Sequence, residues 1–116
     1  MATAKSKGDL VQGTLDMLIL RTLQREAMHG FAIAKSIEQR SEEALRVEEG
    51  SLYPALYRLE LQGLVKSEWG HAATGHRAKY YRLSTAGRKR LATEQESWAR
   101  MVRAIAKVME PAEEAG

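Results

Sequence analysis

The chain has 116 residues, of which 44% are hydrophobic and 28% charged, with a formal net charge of +3, a balance typical of one globular domain rather than a disordered chain. It contains no cysteine, which excludes disulfides, thiolate catalysis and cysteine-based zinc sites and fits a reducing cytosol. No apolar run approaches the roughly 20 residues of a membrane span and the N-terminus lacks the apolar centre of a secretory signal, so we expect a cytoplasmic protein without a membrane partner.

Residues 1–8 are small, polar and basic, and we expect them to form a flexible basic arm. The first predicted helix covers residues 9–24, where apolar residues recur at helical spacing in two stripes. One stripe contains Leu15, Leu18, Ile19 and Leu23, and the other contains Leu10, Met17 and Leu20. Because a helix with one solvent-exposed side needs only one apolar stripe, the second stripe predicts a further contact.

The turn REAMHG leads into a second predicted helix over residues 30–40, with His29 as a turn or capping residue. The predicted buried face of this helix consists of Phe31, Ala34 and Ile37, with Ile33 beside it. A short extended segment over residues 45–47 is predicted to follow.

A third helix is predicted over residues 52–62. Proline lacks an amide hydrogen, so we place Pro54 in the first turn, with Ser51 as the cap. The spacing predicts a core face of Leu52, Ala55, Leu56 and Leu59, and Gly63 is expected to end the helix.

The opposite face of the third helix carries Tyr53, Tyr57, Arg58 and Gln62, next to Gly50 and Ser51. A helix N-terminus presents unpaired amide hydrogens and a positive dipole end to phosphate. Gly50 and Ser51 permit close approach there, while the tyrosine hydroxyls and Arg58 supply donors to phosphate or base edges. The alternatives are half-buried tyrosines with only the hydroxyl outside, and an Arg58 paired with Glu60 or another neighbouring acid.

Two strands are predicted next, over residues 64–69 and 79–83, joined by GHAATGHRA as a protruding hairpin loop. From Trp69 to Thr93 the chain has no Asp or Glu. The same window contains Arg77, Lys79, Arg82, Arg88, Lys89 and Arg90. Such one-sided charge is typical of a surface that binds polyphosphate, with a merely solvated basic face and membrane lipid as the alternatives.

The last predicted helix covers residues 85–109, with Ser84 as its cap, and we expect residues 111–116 to form a disordered tail. Its apolar seam contains Leu91, Trp98, Val102, Ile105 and Met109, with Met101 and Val108 at the margin. Three small helices cannot cover all of this seam. We therefore expect a second copy of the chain to cover it.

The order of helix, helix, short strand, helix and basic hairpin is that of a winged helix-turn-helix, whose third helix enters the major groove. The segments HGFAIAKSIEQRS, EGSLYPALYRLELQGLV, SEWG and GHRAKYYRLSTAGRKRL also resemble the PadR family of bacterial transcriptional regulators, over residues 9–109. The resemblance implies a mainly α (α+β) fold, with a DNA-binding domain with a two-stranded wing over residues 9–84 and a dimerisation helix over residues 85–110. It further implies a homodimeric repressor that contacts double-stranded DNA through Ser51, Tyr53, Arg58, Arg77 and Lys79.

The single, short last helix is similar to the compact members of that family, although Thr85 stands where the family often has proline. Some compact members sense planar hydrophobic drugs between dimer-interface aromatics, and the segment ESW is similar to theirs. This resemblance would place Trp98 and its symmetry mate around a small hydrophobic or aromatic ligand, with Leu10, Asp16 and Met17 at the sides. Leu10 and Met17 of the second stripe would then form either a dimer contact or the wall of this pocket. Plain packing of Trp98 is the alternative.

Nothing in the sequence indicates an enzyme or a cofactor. His71 and His76 flank the hairpin loop, but with no cysteine and no close carboxylate except Glu68 they form a poor metal site. No histidine has the partners of a catalytic constellation, and there is no phosphate-cradling glycine motif. A winged-helix architectural binder without sequence preference and a protein-interaction adaptor are the remaining alternatives to a specific regulator.

Overall fold

The computed structural model describes residues 12–112. The elements in chain order are α1 (Gln12–Leu23), β1 (Met28–His29), α2 (Gly30–Arg40), α3 (Glu49–Leu61), β2 (Val65–His71), β3 (Arg77–Leu83) and α4 (Thr85–Met109). The strands form one antiparallel sheet in the order β1-β3-β2. This confirms the mainly helical winged-helix fold, with a sheet of three strands. Leu10, the predicted arm and residues 113–116 of the predicted tail lie outside the described residues.

The core is built around α1, and both of its apolar stripes point inward. Leu15, Ile19 and Leu23 are at most 2% exposed, but Met17 and Leu20 of the other stripe are buried as well. The reason is that α1 contacts α2 and α3 and also the beginning of α4. The described residues of the second stripe are therefore largely buried by other helices of the same chain. No helix within residues 12–112 has both the length and the apolar character needed to cross a bilayer.

The second helix has the predicted bounds, but its buried face differs from the prediction. Gly30, Ile33 and Ile37 are buried, at helical spacings of three and four residues, and this register turns Phe31 outward to 65% exposure. The prediction that Phe31 lies in the core is wrong. His29 caps the helix as predicted, because its Nδ1 accepts a hydrogen bond from the Ala32 amide at 3.1 Å.

The short strand β1 lies before α2, whereas the sequence predicted a short extended segment before α3. Met28 pairs with Tyr81, and His29 pairs with Tyr80. The segment over residues 45–47 joins no sheet, since the amide of its buried Val47 donates instead to a Glu38 carboxylate oxygen at 3.0 Å. A two-residue strand is too short to show a period of two, so only the pairing reveals it.

The third helix begins earlier than predicted. Its N-cap is Glu48, so Ser51 lies inside the first turn and does not cap the helix, and Pro54 lies in the second turn rather than the first. The backbone of α3 is already hydrogen-bonded at Ser51, whose amide donates to the Glu48 carbonyl at 3.0 Å. The predicted core face is confirmed, with all four of its residues at most 1% exposed.

A compact junction joins α3, β2 and α4. Gly63, at φ +76°, ends α3 as predicted. The Ser84 hydroxyl donates to the Gly63 carbonyl at 2.7 Å and accepts from the Gly87 amide at 2.9 Å, which confirms Ser84 as the cap of α4. Gly87 lies against the backbone of Leu64. This junction sets the direction in which α4 leaves the winged helix.

Candidate nucleic-acid interface

The solvent face of α3 carries most of the residues predicted to contact DNA. Gly50, Ser51, Tyr53 and Tyr57 are all exposed, with Tyr57 at 64% and Tyr53 at 45%. They lie on the side away from the buried leucines, because the core face takes up the other half of the helix circumference. The structure therefore brings these four residues together on one accessible surface near the N-terminus of α3.

The ring of Tyr53 lies against the N-terminus of α2. A Cβ atom added to Gly30 would lie 2.6 Å from the Tyr53 hydroxyl oxygen and 2.7 Å from Cε1, far closer than carbon atoms pack. Only glycine at position 30 leaves room for the ring. Tyr53 thus has one ring face on α2 and remains half accessible, which combines the two interpretations that the sequence left open.

Arg58 is turned toward α1. Its Nη2 donates to Asp16 Oδ1 at 3.0 Å, and the two side chains are only 31% and 23% exposed. The partner is therefore a carboxylate of the first helix, as in the acid-pairing alternative, and this pairing directs the guanidinium away from the solvent face of α3. The ion pair connects α3 to α1, which indicates a structural role for Arg58.

Asp16 lies in a charged setting at the junction of three helices. Burial raises the pKa of Asp16 above its ordinary value of 3.8, and this effect outweighs the opposing ion pair with Arg58. Glu94 of α4 raises the pKa further and Arg90 lowers it. Through its ion pair with Arg58, Asp16 is tied to α3, which leaves its carboxylate less available to a ligand.

The wing consists of β2, β3 and the loop between them, and its two predicted DNA-binding residues lie in different settings. The guanidinium carbon of Arg77 lies 4.2 Å from the ring centre of Trp69. Lys79 Nζ lies 3.7 Å from Glu60 Oε1, while the other Glu60 oxygen accepts from the Ser67 hydroxyl at 2.6 Å. The charge of Lys79 is therefore partly compensated, and Arg77 carries the less compensated charge of the two.

A groove of about 690 Å³ separates the wing from the N-terminal ends of α2 and α3. Its walls include Phe31, Tyr53, Trp69, Arg77, Lys79 and Tyr81. None of the described residues that line it is acidic. Aromatic walls with two cations suit a polyanion that also offers apolar surface, as a nucleic acid does with phosphates and sugars.

Residues 19–93 match the transcriptional regulator PadR-like family. The match runs from within α1 through α3 and the wing into α4, and it includes every residue that lines the groove, whereas Asp16 and Glu94 lie outside it. The chain belongs to this family. A transcriptional regulator of Mycobacterium tuberculosis is similar to it, with 31% identity over 75% of this chain and 78% of that protein.

Solved structures agree with this assignment. A transcriptional regulator from Clostridium thermocellum is 32% identical with a TM-score of 0.77, and 84% of this chain matches 95% of that one. A PadR family transcriptional regulator from Eggerthella lenta is 35% identical with a TM-score of 0.72, and 86% of this chain matches 85% of that one. The protein is thus a transcriptional regulator of the PadR family, whose members bind DNA.

The last helix of this PadR-like regulator buries only its beginning. Leu91 is 1% exposed and lies in the core of its own chain, so its predicted place in a dimer interface is wrong. The reason is that the first turns of α4 pack against α1 and β3. Beyond them, Trp98, Val102, Ile105 and Met109 are between 44% and 74% exposed.

Two small hollows lie between α1 and α4. One, of about 210 Å³, is lined by Met17, Glu94, Trp98 and Met101 among others, and the other, of about 70 Å³, borders Asp16. Met17 lines both but is 8% exposed and belongs to the core of its own chain. The structure therefore places Trp98 and Asp16 in neighbouring hollows, both of which Met17 lines.

Of the residues that line the groove, only Tyr53, Arg77 and Lys79 belonged to the predicted interface. Gly30 and Trp69 are among those that were absent from it, and Phe31 was assigned to the core. The sequence contained a signal for Trp69, because alternate residues of a strand lie on the same face of the sheet as the residues directly opposite them in the next strand. Knowing that Trp69 pairs with Lys79 would have placed it among the wing cations. No sequence signal connects Gly30 to Tyr53, because their contact joins two helices.

Proposed function

We propose that this regulator binds DNA sequence-specifically as a homodimer and represses transcription from an inverted-repeat operator. The observation that supports this most directly is that Tyr53, on the exposed face of α3, and Arg77 of the wing line one groove, and that none of the described residues lining this groove is acidic. Each subunit reads one half-site, and the half-site centres lie about one helical turn, roughly 34 Å, apart.

In this proposal α3 enters the major groove with its exposed N-terminal half first. Gly50 and Ser51 allow the backbone to approach, and Tyr53 and Tyr57 donate hydrogen bonds to phosphates or base edges. Arg77 contacts phosphate beside the major groove, and Lys79 adds to the positive field of the wing. Arg58 acts indirectly, by holding α3 against α1 through Asp16.

The homodimer is supported by the part of α4 that its own chain leaves uncovered. Trp98, Val102, Ile105 and Met109 recur at intervals of four and three residues and so lie along one side of a 25-residue helix. A contiguous apolar stripe of this size is unusual on a monomer surface. An antiparallel or crossing copy of the same helix offers a self-complementary cover, as two-fold symmetry requires.

The DNA claim is tested by selecting duplexes from a random pool and measuring the affinity of the recovered site by fluorescence anisotropy. Arg77→Ala should weaken binding by about 1–3 kcal/mol and reduce the salt slope by about 1. Arg82→Ala is the matched control, because Arg82 is also exposed on β3 but points to the other face. Equal losses in both variants would remove Arg77 from the interface.

The same assay separates the alternatives. A specific regulator prefers its selected site to random duplex by about 10³-fold or more. An architectural protein binds both almost equally, and a protein-interaction adaptor binds neither. Recovery of a palindrome would support both specificity and two-fold symmetry.

The dimer claim is tested by sedimentation velocity on the double variant Val102→Asp, Ile105→Asp, which places charge in the apolar stripe. We expect a monomer. Lys107→Asp introduces the same side chain outside that stripe and should leave a dimer. A double variant that sediments like the unmodified chain would refute the role of the stripe.

A small hydrophobic effector is the second proposal, and the hollow beside Trp98 favours it. At about 210 Å³ the hollow is smaller than the pockets that usually enclose a drug-sized ligand. A second Trp98 across the dimer axis would enlarge it. Planar aromatic compounds should then quench tryptophan fluorescence and weaken DNA binding, and Trp98→Ala should abolish both effects.

A further inference from the structure

Trp69 and Arg77 meet across the two long strands of the wing. The register pairs Trp69 with Lys79 and His71 with Arg77, so Arg77 is a diagonal neighbour of Trp69. Diagonal neighbours on one face of a sheet are within reach of long and aromatic side chains. The observed separation of 4.2 Å between the guanidinium carbon and the ring centre is that of a cation stacked on an aromatic face.

The face of the sheet that carries this pair changes its surroundings along its length. At the base of the wing, Val65, Tyr81 and Leu83 are buried in the core. Farther out, the same face carries Trp69, which is 55% exposed, and then Arg77, and both line the groove that opens toward α3. Trp69 is therefore on the core side of the sheet but beyond the end of the core, where packing alone does not require a large ring.

Arg77 has no carboxylate to fix its position. None of the ion pairs among residues 12–112 includes it, whereas Lys79, two residues along, is paired with Glu60. An arginine side chain has four flexible bonds and loses much conformational freedom when it is immobilised. Contact with the ring of Trp69 restricts that freedom before any ligand arrives.

We propose that Trp69 is a positioning residue that holds the Arg77 guanidinium over the groove, ready to meet a phosphate of the duplex. The inference rests on the proposed DNA-binding function and assigns a role to an exposed aromatic that the interface otherwise leaves without one. Preorganisation of this kind strengthens binding because the cost of ordering the side chain is met in the free protein. An arginine that stacks on an aromatic ring keeps its edge nitrogens available to phosphate.

The contact itself is tested without DNA, by acrylamide quenching of tryptophan fluorescence in the full chain. Arg77→Ala uncovers one face of the Trp69 ring and should raise the quenching constant. Arg82→Ala, on the opposite face of β3, should leave it at the wild-type value. Equal quenching in all three proteins would overturn the contact.

The positioning role is tested by a double-mutant cycle on the duplex selected by the wild-type protein. Trp69→Ala should weaken binding by about fourfold to twenty-fivefold, which corresponds to about two- to fivefold for each of two wings. The same change should have no effect in the Arg77→Ala background. Trp69→Phe, which keeps an aromatic face, should bind within about threefold of wild type, and Trp69→Leu should resemble Trp69→Ala.

Each result decides between the explanations. Equal weakening by Trp69→Ala in the Arg77 and Arg77→Ala backgrounds would mean that the ring acts on DNA by itself, which overturns the positioning role. Full affinity of Trp69→Ala would overturn it as well. Failure of the wild-type protein to bind any duplex would overturn the proposed function, and with it the purpose of the pair, while the quenching measurement would still report the contact.

Discussion

Replacing Gly30 by alanine should displace Tyr53 while leaving the fold in place. The added Cβ atom would lie 2.6 Å from the Tyr53 hydroxyl oxygen, 2.7 Å from Cε1 and 2.8 Å from Cζ. Carbon atoms in contact are ordinarily 3.5–4.0 Å apart, so the ring must retreat by about 1 Å. Because Tyr53 is 45% exposed, the ring can move toward solvent without disturbing the core.

Gly30→Ala should therefore change the free energy of unfolding less than it changes the free energy of DNA binding. The free energy of unfolding should stay within about 1 kcal/mol of wild type, since alanine is favoured over glycine in a helix by about that amount. Loss of one tyrosine hydrogen bond costs about 0.5–1.5 kcal/mol, so a dimer with two Tyr53 contacts loses about 1–3 kcal/mol of binding. This corresponds to a roughly five- to 150-fold weaker affinity for the operator.

Fluorescence anisotropy with the selected duplex measures the affinity, and urea denaturation at the same protein concentration measures stability. In a Tyr53→Ala background Gly30→Ala should have no further effect on DNA binding, because no ring remains to be displaced. Unchanged affinity of the Gly30→Ala single variant would refute the DNA contact of Tyr53. A large loss of stability would refute the claim that the ring is free to move.

Three further changes probe other contacts. Gly87→Ala should lower the free energy of unfolding by about 1–3 kcal/mol in urea denaturation, because its Cβ atom would overlap a backbone carbonyl. In Asp16→Asn, the free energy of unfolding of the wild type minus that of the variant should decrease as pH rises from about 3 to 6. Burial raises the pKa of Asp16 in the folded state, so the contribution of Asp16 to stability is complete at low pH and is lost as pH rises through this range. Glu60→Gln should release Lys79 and make the salt dependence of DNA binding steeper, as measured by anisotropy across salt concentrations.

Each of these has its own contrary result. Gly50→Ala is the control for the first, since nothing lies within 4 Å of its Cβ atom, and equal stability of the two alanine variants would refute the close approach at Gly87. A constant stability difference across pH would refute the raised pKa of Asp16. An unchanged salt slope in Glu60→Gln would show that Lys79 is no more available without its partner.

Much of the fold was predictable because its signals are local. Helical periodicity identified all four helices, and the N-cap of α4 followed from a serine before an amphipathic segment. The core face of α3 was also correct. The errors in element boundaries occurred where local signals are weak or ambiguous, namely the two-residue strand at Met28–His29 and the first turns of α3.

The candidate site was predictable only in part. Exposure of Tyr53 and Tyr57 follows from the register of one helix, and the structure agrees. The direction of the Arg58 side chain does not follow from this register, because an arginine beside the exposed face can point either to solvent or to a neighbouring helix. An acid 42 residues away in the chain determined its direction.

The amino-acid sequence by itself determined which segments are helical, which face of α3 packs into the core, and that the wing and the start of α4 are rich in basic residues. These properties depend on side chains a few positions apart. Only the tertiary structure decided that Arg58 pairs with Asp16, that Leu91 belongs to the core of its own chain, and that Trp69 supports Arg77. Each of these depends on the distance and direction between two elements, which packing of the whole chain sets and which no local pattern contains.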